Sequence, residues 1–343
     1  MSRTSGKLIL WVGQQSTGRA TSNSRYYELL RRFTCVAKLG YPPVKGIRHL
    51  ERVFIPRLLP ILARQYPILF DPGAQFTHWW PCISVVDVDD PTFTTTEIER
   101  LKDKKIAIIV TTTPQLAERL HSVTGQEVKV IPSGFSARDI SPDVVENIRR
   151  QLKAKQNPVV GYVSPYLLIS RSFPHQNDVS LLLDSMEYVW RKEPDVELWL
   201  IGVPDKHVKN FAVQYKNTKL LGPIHRHKLL NYVCNFDIAV YPRRIDHGGR
   251  FSVKLIEYMG CGVPIVATNV AESQIVEKAC AGIIAQTKEE FAEAILVLVR
   301  DQKLREQLSM NAKRFSKDYD WDFLAASYQK EIFGPLFGEK VCS

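Results

Sequence analysis

The chain has 343 residues, 45% of them hydrophobic and 24% charged, which is typical of a globular protein long enough for two α/β domains. Its net charge of +10 favours anionic ligands or lipid surfaces, but no nucleic-acid-binding motif accompanies it, so we expect no nucleic-acid partner. The six cysteines are scattered without a CxxC pair, which argues against a zinc site or a disulfide framework and predicts a cytoplasmic location.

The first predicted strand is Leu8–Val12, which is too short for the apolar region of a signal peptide. No apolar stretch reaches ~18 residues, so we expect no transmembrane helix. The loop Gly13–Gly18 follows and leads into a helical pattern at Ser24–Phe33. Because this loop has only two glycines, it does not form a dinucleotide-binding fingerprint.

Residues 45–70 combine basic side chains with many aliphatic ones. A basic amphipathic stretch of this kind can dock on anionic lipid at the inner membrane face. Three prolines divide the stretch, and this equally favours two short helices packed on the first sheet. Both interpretations remain open, so peripheral membrane contact through residues 45–70 is one of two alternatives.

Acidic residues follow the predicted strand Ile83–Asp87. Carboxylates at the carboxyl end of a parallel strand point into the ligand cleft, so Asp87 is a candidate general base. Asp87 and Asp89 also have the spacing of a metal-binding Asp-x-Asp pair. His78 is a second candidate for this cleft, although a histidine beside two tryptophans is often structural.

The segment Val128–Gly134 ends the pattern of strands and helices in the first half, and a polar stretch follows. A new buried strand, Val159–Val163, begins the second half. We therefore predict an N-terminal Rossmann-like domain over residues 1–155, a C-terminal one over 156–320, and a final helical segment over 321–343.

The second half contains a strand at Asp237–Tyr241, a loop, a helix at Ser252–Met259 and a strand at Val263–Ala267. In a parallel sheet, such a loop lies at the carboxyl end of the strands, where ligands bind. Gly248 and Gly249 in the loop allow close approach of the backbone to an anion, and the helix N-terminus favours negative charge.

Three side chains of this helix add to the anion chemistry. Ser252 can cap the helix or bind a phosphate oxygen, and Lys254 supplies a positive charge. Glu257 lies on the same helix face as Lys254. A cation and a carboxylate on one face suit a ligand with both phosphate and vicinal hydroxyls, such as a nucleotide sugar. The alternative is an ordinary α/β unit in which Lys254 and Glu257 form a surface ion pair.

The run Phe251–Thr268 (FSVKLIEYMGCGVPIVAT) resembles the donor-site signature of glycosyltransferases of the group-1/group-4 type. This resemblance implies the α/β GT-B fold, with two facing Rossmann-like domains, parallel sheets and an interdomain cleft. It also implies that Glu257 binds the donor ribose, that Ser252 and Lys254 lie near the diphosphate, and that neither a cofactor nor a metal is needed. A loop similar to the family's base-reading loop contributes Gly222, Pro223 and Ile224.

The resemblance further implies that Gly13, Gln14 and His78 shape the acceptor side of the cleft. Arg244, Arg250 and Asp246 are predicted to meet the phosphates or the sugar, and Lys254, Asp87 and Asp246 are the candidate catalytic residues. Many retaining members carry a second glutamate eight positions before the one matching Glu257. Here that position is Gly249, so the choice between retaining and inverting chemistry stays open. Arg171 is a candidate for a further basic position of the family.

We therefore expect a glycosyltransferase that moves a sugar from a nucleotide-diphosphate sugar to a glycan, a lipid-linked acceptor or a small molecule. A sugar-nucleotide epimerase or hydrolase on the same fold is one alternative. A non-catalytic binding or scaffold protein with the GT-B fold is another. The sequence leaves the sugar, the base, the acceptor and the oligomeric state open.

Overall fold

A computed structural model of the chain describes residues 9–14, 24–33, 36–41, 57–152, 157–169, 178–245 and 250–337, with residues 9–14 and 36–41 described by their backbone alone. These residues contain two six-stranded sheets. All strand pairs within both sheets are parallel. The predicted α/β fold with two parallel-sheet domains is thus confirmed.

The first sheet has the strand order β2-β1-β3-β4-β5-β6. Its strands are β1 (Ile9–Gln14), β2 (Val36–Tyr41), β3 (Ile68–Pro72), β4 (Ile83–Val88), β5 (Ile106–Thr111) and β6 (Val128–Val130). The helices of this half are α1 (Ser24–Arg32), α2 (57–63), α3 (Thr95–Leu101), α4 (Pro114–Thr124) and α5 (Pro142–Leu152). Threonine caps begin two of them: Thr94 accepts from the backbone N–H of Glu97, and Thr113 accepts from that of Leu116.

The second sheet has the strand order β12-β11-β10-β7-β8-β9. Its strands are β7 (Val159–Leu167), β8 (Glu197–Pro204), β9 (Thr218–Gly222), β10 (Ile238–Tyr241), β11 (Ile265–Thr268) and β12 (Gly282–Ala285). This is the order of a Rossmann fold, in which the chain reverses direction along the sheet between β7 and β10. A crevice opens at the carboxyl ends of two such neighbouring strands, and ligands bind there.

Helices cover both faces of the second sheet, which explains why its strands read as nearly continuous apolar runs. These helices are α6 (Ser180–Lys192), α7 (Lys206–Gln214), α8 (Arg226–Val233), α9 (Val253–Gly260), α10 (Gln274–Lys278), α11 (Lys288–Arg300) and α12 (Gln302–Ser316). A 3-10 turn, Ala271–Ser273, precedes α10.

The end of the described chain packs against the core of the first half. It contains α13 (Trp321–Tyr328), a π-helical turn (Gln329–Phe333) and α14 (Gly334–Phe337). Trp321, Tyr328 and Phe333 are buried in one cluster with first-half residues such as Phe70 and Val110. The Phe70 and Tyr328 rings lie 6.2 Å apart.

The two segments that pass between the sheets run side by side. Phe135 and Asp320 form a parallel β-bridge. The Phe135 N–H donates to the Tyr319 carbonyl at 3.1 Å, and the Trp321 N–H donates to the Phe135 carbonyl at 3.0 Å. A Cβ at Gly134 would overlap the backbone of Tyr319, so the close approach of the two segments requires glycine there. The predicted boundaries at 155/156 and 320/321 stay predictions.

In the part of the chain that the structure describes, no helix is long and apolar enough to cross a bilayer.

Replacing Trp321 by Ala should destabilise the first half strongly, because a fully buried indole leaves a cavity in its core. We expect a loss of about 3–5 kcal/mol in the free energy of unfolding, measured by urea denaturation with circular dichroism. Phe323→Ala is the matched control, since Phe323 lies on the same helix and is half exposed. Equal losses in both variants would contradict the packing described for α13.

Candidate functional site

The site is built around the N-terminus of α9, which follows β10 at the crevice of the second sheet. Ser252 occupies the N-cap position, but its side chain makes no capping bond to the helix. Burial raises the pKa of Tyr241, and the nearby side chains of Arg243 and Ser252 oppose the increase. The capping role predicted as one alternative for Ser252 is not observed, and the phosphate-binding alternative stays a prediction. The helix ends at Gly260, where a Cβ would overlap the ring of Phe135.

The Lys254 side chain lies between two aromatic rings from the two central strands of the second sheet. Its Nζ is 4.4 Å from the ring centre of Tyr162 on β7 and 5.8 Å from that of Tyr241 on β10. The same Nζ lies 3.3 Å from the Tyr162 hydroxyl. Both tyrosines are almost fully buried. The protein thus holds a cation against aromatic faces at the carboxyl ends of the strands, where the ring quadrupoles stabilise it.

This environment changes the acidity of Lys254. Burial and the charge of Arg243 lower the pKa of Lys254, and the charge of Glu257 opposes the decrease. The resulting pKa is about 7. The ammonium group has lost much of its hydration without gaining a close carboxylate in the described part of the chain. An anionic ligand would supply the missing partner, so the group is suited to binding phosphate.

Glu257, one turn further along α9, is buried and forms an ion pair with Arg226 at the start of α8. The Arg226 Nη2 to Glu257 Oε1 distance is 2.8 Å. The surface ion pair between Lys254 and Glu257 that we kept as an alternative is therefore wrong: Glu257 is buried, and its ion-pair partner among the described residues is Arg226.

The loop predicted to read the base joins β9 to α8 and leads directly to Arg226. Gly222 has a φ of +69°, in the left-handed region that favours glycine. Pro223 is exposed and Ile224 partly buried. Because Arg226 bonds Glu257, this loop and the carboxylate predicted to bind ribose lie next to each other. Their roles toward a nucleotide stay predictions.

Three arginines after β10 occupy different positions. Arg243 is partly buried, and its Nε donates to the Tyr241 hydroxyl at 3.1 Å. Arg244 is exposed and lies 3.3 Å from a carboxylate oxygen of Asp178, on the side of α6. Arg250 reaches across to the first half, with its Nε 3.5 Å from Asp90. Arg243 is thus grouped with Lys254, whereas Arg244 is held by Asp178 and Arg250 connects the two halves.

Several predicted site residues lie outside the described part of the chain. These are Asp246, Gly248, Gly249 and Arg171, together with residues 45–56 of the proposed membrane-contact stretch. Their predicted roles are unchanged.

The predicted role of Asp87 as a general base requires a carboxylate that is exposed to the cleft. The Asp87 carboxylate is instead buried. It forms an ion pair with Arg25 of α1, at 2.5 Å, and Asp89 lies 3.0 Å from the same guanidinium. Burial raises the pKa of Asp87, while the charge of Arg25 opposes the increase. Arg25 also donates to the Ile131 carbonyl. The cluster ties α1 to the ends of β4 and β6, so we correct the position of Asp87 from an open cleft base to a buried partner of Arg25.

The predicted acceptor-side residues lie in the first half. Gly13 and Gln14 are the last residues of β1, at the carboxyl edge of the first sheet, and only their backbone is described. His78 is exposed on a 3-10 turn and lines a surface cavity of about 680 Å³ with Trp79 and residues of α3. The described lining of this cavity comes from the first half alone, so the structure does not group His78 with Lys254 and Glu257.

Residues 164–301 match the model of a family described as Glycosyl transferases group 1. The matched segment contains Arg226, Lys254 and Glu257.

Two curated glycosyltransferases match part of the chain. An uncharacterized glycosyltransferase of Methanocaldococcus jannaschii is 28% identical over 158 residues, which are 44% of this chain and 43% of that protein. The N,N'-diacetylbacillosaminyl-diphospho-undecaprenol alpha-1,3-N-acetylgalactosaminyltransferase of Campylobacter jejuni is 25% identical over 215 residues, covering 57% of this chain and 51% of that protein. The chain thus spans about half the length of these curated relatives.

The structure of HepE from Anabaena in complex with UDP-glucose superposes with a TM-score of 0.72. The two chains share 16% sequence identity, and the match covers 95% of this chain and 99% of the other. At this identity the similarity shows the fold, which is GT-B.

Sequence reasoning about the glycosyltransferase motif missed Arg226, Tyr162 and Tyr241 as parts of this site. Tyr162 and Tyr241 read as ordinary residues of buried strands, and their pairing around Lys254 depends on β7 lying beside β10. Arg226 follows the predicted base loop by a few residues, and that proximity was the one signal available for it.

Lys254→Met should stabilise the ligand-free protein most at low pH. The folded-state pKa of Lys254 is about 7, below the ordinary 10.5, so the unfolded chain binds more protons between these values. The penalty for burying Lys254 is therefore complete below pH 7 and disappears above about pH 10.5. We expect a gain of at least about 1 kcal/mol at pH 6, which shrinks by roughly half at pH 9.

Thermal melts of both proteins from pH 6 to 9 measure this difference. Lys288→Met, which removes an exposed lysine, should show no such pH dependence. A gain that is constant with pH would contradict the lowered pKa of Lys254.

Proposed function

We propose that this protein transfers a glycosyl group from a nucleoside-diphosphate sugar to an acceptor hydroxyl. The observation that carries the proposal is the partly buried Lys254 ammonium between two tyrosine rings at the N-terminus of α9, with the buried Glu257 carboxylate one turn away. The pair lies at the crevice of a Rossmann-ordered sheet, within the segment that matches the glycosyltransferase family model. A cation and a carboxylate at this spacing fit a diphosphate and a ribose of one ligand.

The chemistry follows from where negative charge develops. When the bond between the sugar and the diphosphate breaks, charge accumulates on the departing phosphate oxygens. Lys254, Arg243 and the free N–H groups of the α9 N-terminus would stabilise that charge in a site with little water. Glu257 would accept hydrogen bonds from the ribose hydroxyls, while the ion pair with Arg226 keeps its carboxylate in place.

The acceptor side belongs to the first half of the chain. The contact between Arg250 and Asp90 connects the loop after β10 with the first half and could respond to domain closure around a donor. The Campylobacter relative is named for a diphospho-undecaprenol acceptor, and HepE was solved with UDP-glucose. We propose a glycan or lipid-linked acceptor, and UDP-sugars are the first donors to test.

Lys254→Ala and Glu257→Gln should both weaken donor binding. Loss of the Lys254 charge should also lower the rate of diphosphate release by about 100-fold, the typical effect of removing one group that stabilises a developing anion. A thermal-shift screen of wild type with UDP, GDP, ADP and their hexose conjugates identifies the base, because a ligand specific for the folded state raises the melting temperature.

The controls are Lys278→Ala and Glu277→Gln, which make the same changes at exposed positions of α10. The proposed site is contradicted if both site variants bind the nucleotide as tightly as wild type. Failure of every nucleotide to shift the wild-type melting temperature would favour the non-catalytic scaffold alternative. Release of free or isomerised sugar without an acceptor would favour the hydrolase or epimerase alternative.

We also propose that α2 contacts an anionic membrane surface. On this helix, Leu59 and Ala63 are buried, whereas Leu58 and Ile61 are 49% and 64% exposed. The exposed Arg57 and Arg64 flank them. Apolar side chains between basic ones suit the boundary between lipid headgroups and acyl chains.

Replacing both Leu58 and Ile61 by Asp should reduce co-sedimentation with vesicles of phosphatidylcholine and phosphatidylglycerol by about tenfold or more. Val213→Asp, at an apolar side chain of α7 that is 83% exposed, is the matched control. Wild-type protein that stays in the supernatant with these vesicles at low salt would disprove the contact.

A further inference from the structure

A second carboxylate lies near the cations of this site on the neighbouring strand end. Glu272 is in the 3-10 turn that follows β11, and 7% of its surface is exposed. Its Oε2 atom is buried and has no hydrogen-bond partner in the described part of the chain. A buried carboxylate oxygen without a partner is costly, and native proteins keep such groups where a ligand, an ion or water completes them.

Arg243 also has a buried side-chain atom that lacks a hydrogen-bond partner in the described part of the chain. Its Nε is bonded to Tyr241, but its Nη1 is buried and has no partner among the described residues. Burial tends to lower the pKa of Arg243, yet Tyr241, Tyr162 and Glu272 together raise it. Glu272 is therefore close enough to act on Arg243, although the two form no ion pair within the described ranges. Each carries an unpaired polar atom in the same region.

The backbone holds these two residues in fixed relative positions. β10 and β11 are paired, with Tyr241 opposite Ala267. The Thr268 hydroxyl donates to the Arg243 carbonyl at 2.6 Å. The Ser273 hydroxyl accepts from the Val270 N–H at 3.1 Å and lies 2.7 Å from the Thr268 carbonyl. The turn that carries Glu272 is thus tied to the strand end that leads to Arg243, as preorganised binding requires.

The charges of the site follow an order, which we call the charge row: Glu257, Lys254, Arg243, Glu272. Glu257 lies one turn after Lys254 on α9, and the Tyr241 ring lies within about 6 Å of both the Lys254 ammonium and the Arg243 guanidinium. The turn that carries Glu272 is tied through Thr268 to the Arg243 carbonyl. The row therefore has two cations in the middle and a carboxylate at each end. A nucleoside-diphosphate sugar has the complementary order, with hydroxyls on the ribose, a diphosphate, and hydroxyls on the sugar.

We infer that the Glu272 carboxylate binds hydroxyl groups of the donor sugar, while Arg243 binds the adjoining phosphate. This assignment rests on the proposed function and extends it from the nucleotide to the transferred sugar. It gives the site a contact with the part of the donor that distinguishes a nucleotide sugar from a nucleoside diphosphate. Glu272 would thus contribute to the choice of sugar, since a carboxylate accepts from hydroxyls in particular orientations.

The test compares Kd values for a nucleoside diphosphate and for its sugar conjugate by isothermal titration calorimetry. The probes are UDP with UDP-glucose and UDP-N-acetylglucosamine, GDP with GDP-mannose, and ADP with ADP-glucose. Glu272→Gln should raise the Kd of the sugar conjugate by about tenfold and leave that of the free diphosphate within about twofold. Arg243→Gln should weaken both, because both ligands carry the phosphate.

Glu277→Gln, an exposed neighbour on α10, is the control and should change neither Kd. The ligand-free Glu272→Gln protein should melt at the wild-type temperature or above, since the change removes a buried carboxylate that has no ion-pair partner among the described residues. Unchanged binding of every sugar conjugate by Glu272→Gln would overturn the assignment, as would equal weakening of free and conjugated diphosphates. Wild type that binds the diphosphate through Lys254 but no sugar conjugate would also overturn it and leave the nucleotide site intact.

Discussion

The energetics of the second half depend on the partial burial of one ammonium group. Lys254 lies between the rings of Tyr162 and Tyr241, which are themselves anchored in the two strands that flank the crevice. Folding removes water from this cation and supplies aromatic faces but, among the described residues, no close carboxylate. The free energy lost in dehydrating Lys254 is offset by the apolar core around α9, and an anionic ligand would recover it. Stability and ligand affinity are therefore opposed at this residue.

The two halves meet through backbone as well as side chains. The bridge between Phe135 and Asp320 brings the two connecting segments together, and the Phe135 ring packs where α9 ends at Gly260. The helix that carries Lys254 and Glu257 is therefore in contact with the segment that joins the sheets. A change in the relative position of the halves would move the end of this helix, and the contact between Arg250 and Asp90 lies on the same loop-and-helix unit.

Much of this arrangement could be predicted from local sequence, and the failures have a common cause. Apolar runs, glycine loops and helix periodicity predicted two parallel sheets, and the spacing of Lys254 and Glu257 placed both on one helix face. The partners of these residues could not be predicted, because Arg226 is 31 positions from Glu257 and Arg25 is 62 positions from Asp87. Such pairs depend on which helices and strand ends become neighbours. Ser252 is a further case, since its position before α9 predicted a bond to the helix N-terminus that its side chain does not make.

The return of the chain end to the first half has a consequence for synthesis on the ribosome. The core that contains Phe70 and Val110 also contains Trp321, Tyr328 and Phe333, and all strands of the second sheet are made in between. At typical translation rates, the interval between Ile131 and Trp321 is roughly 10 to 40 s. During that time the first sheet exposes the part of its apolar face that the last helices cover. The N-terminal half, although made first, is therefore the half that completes its folding last.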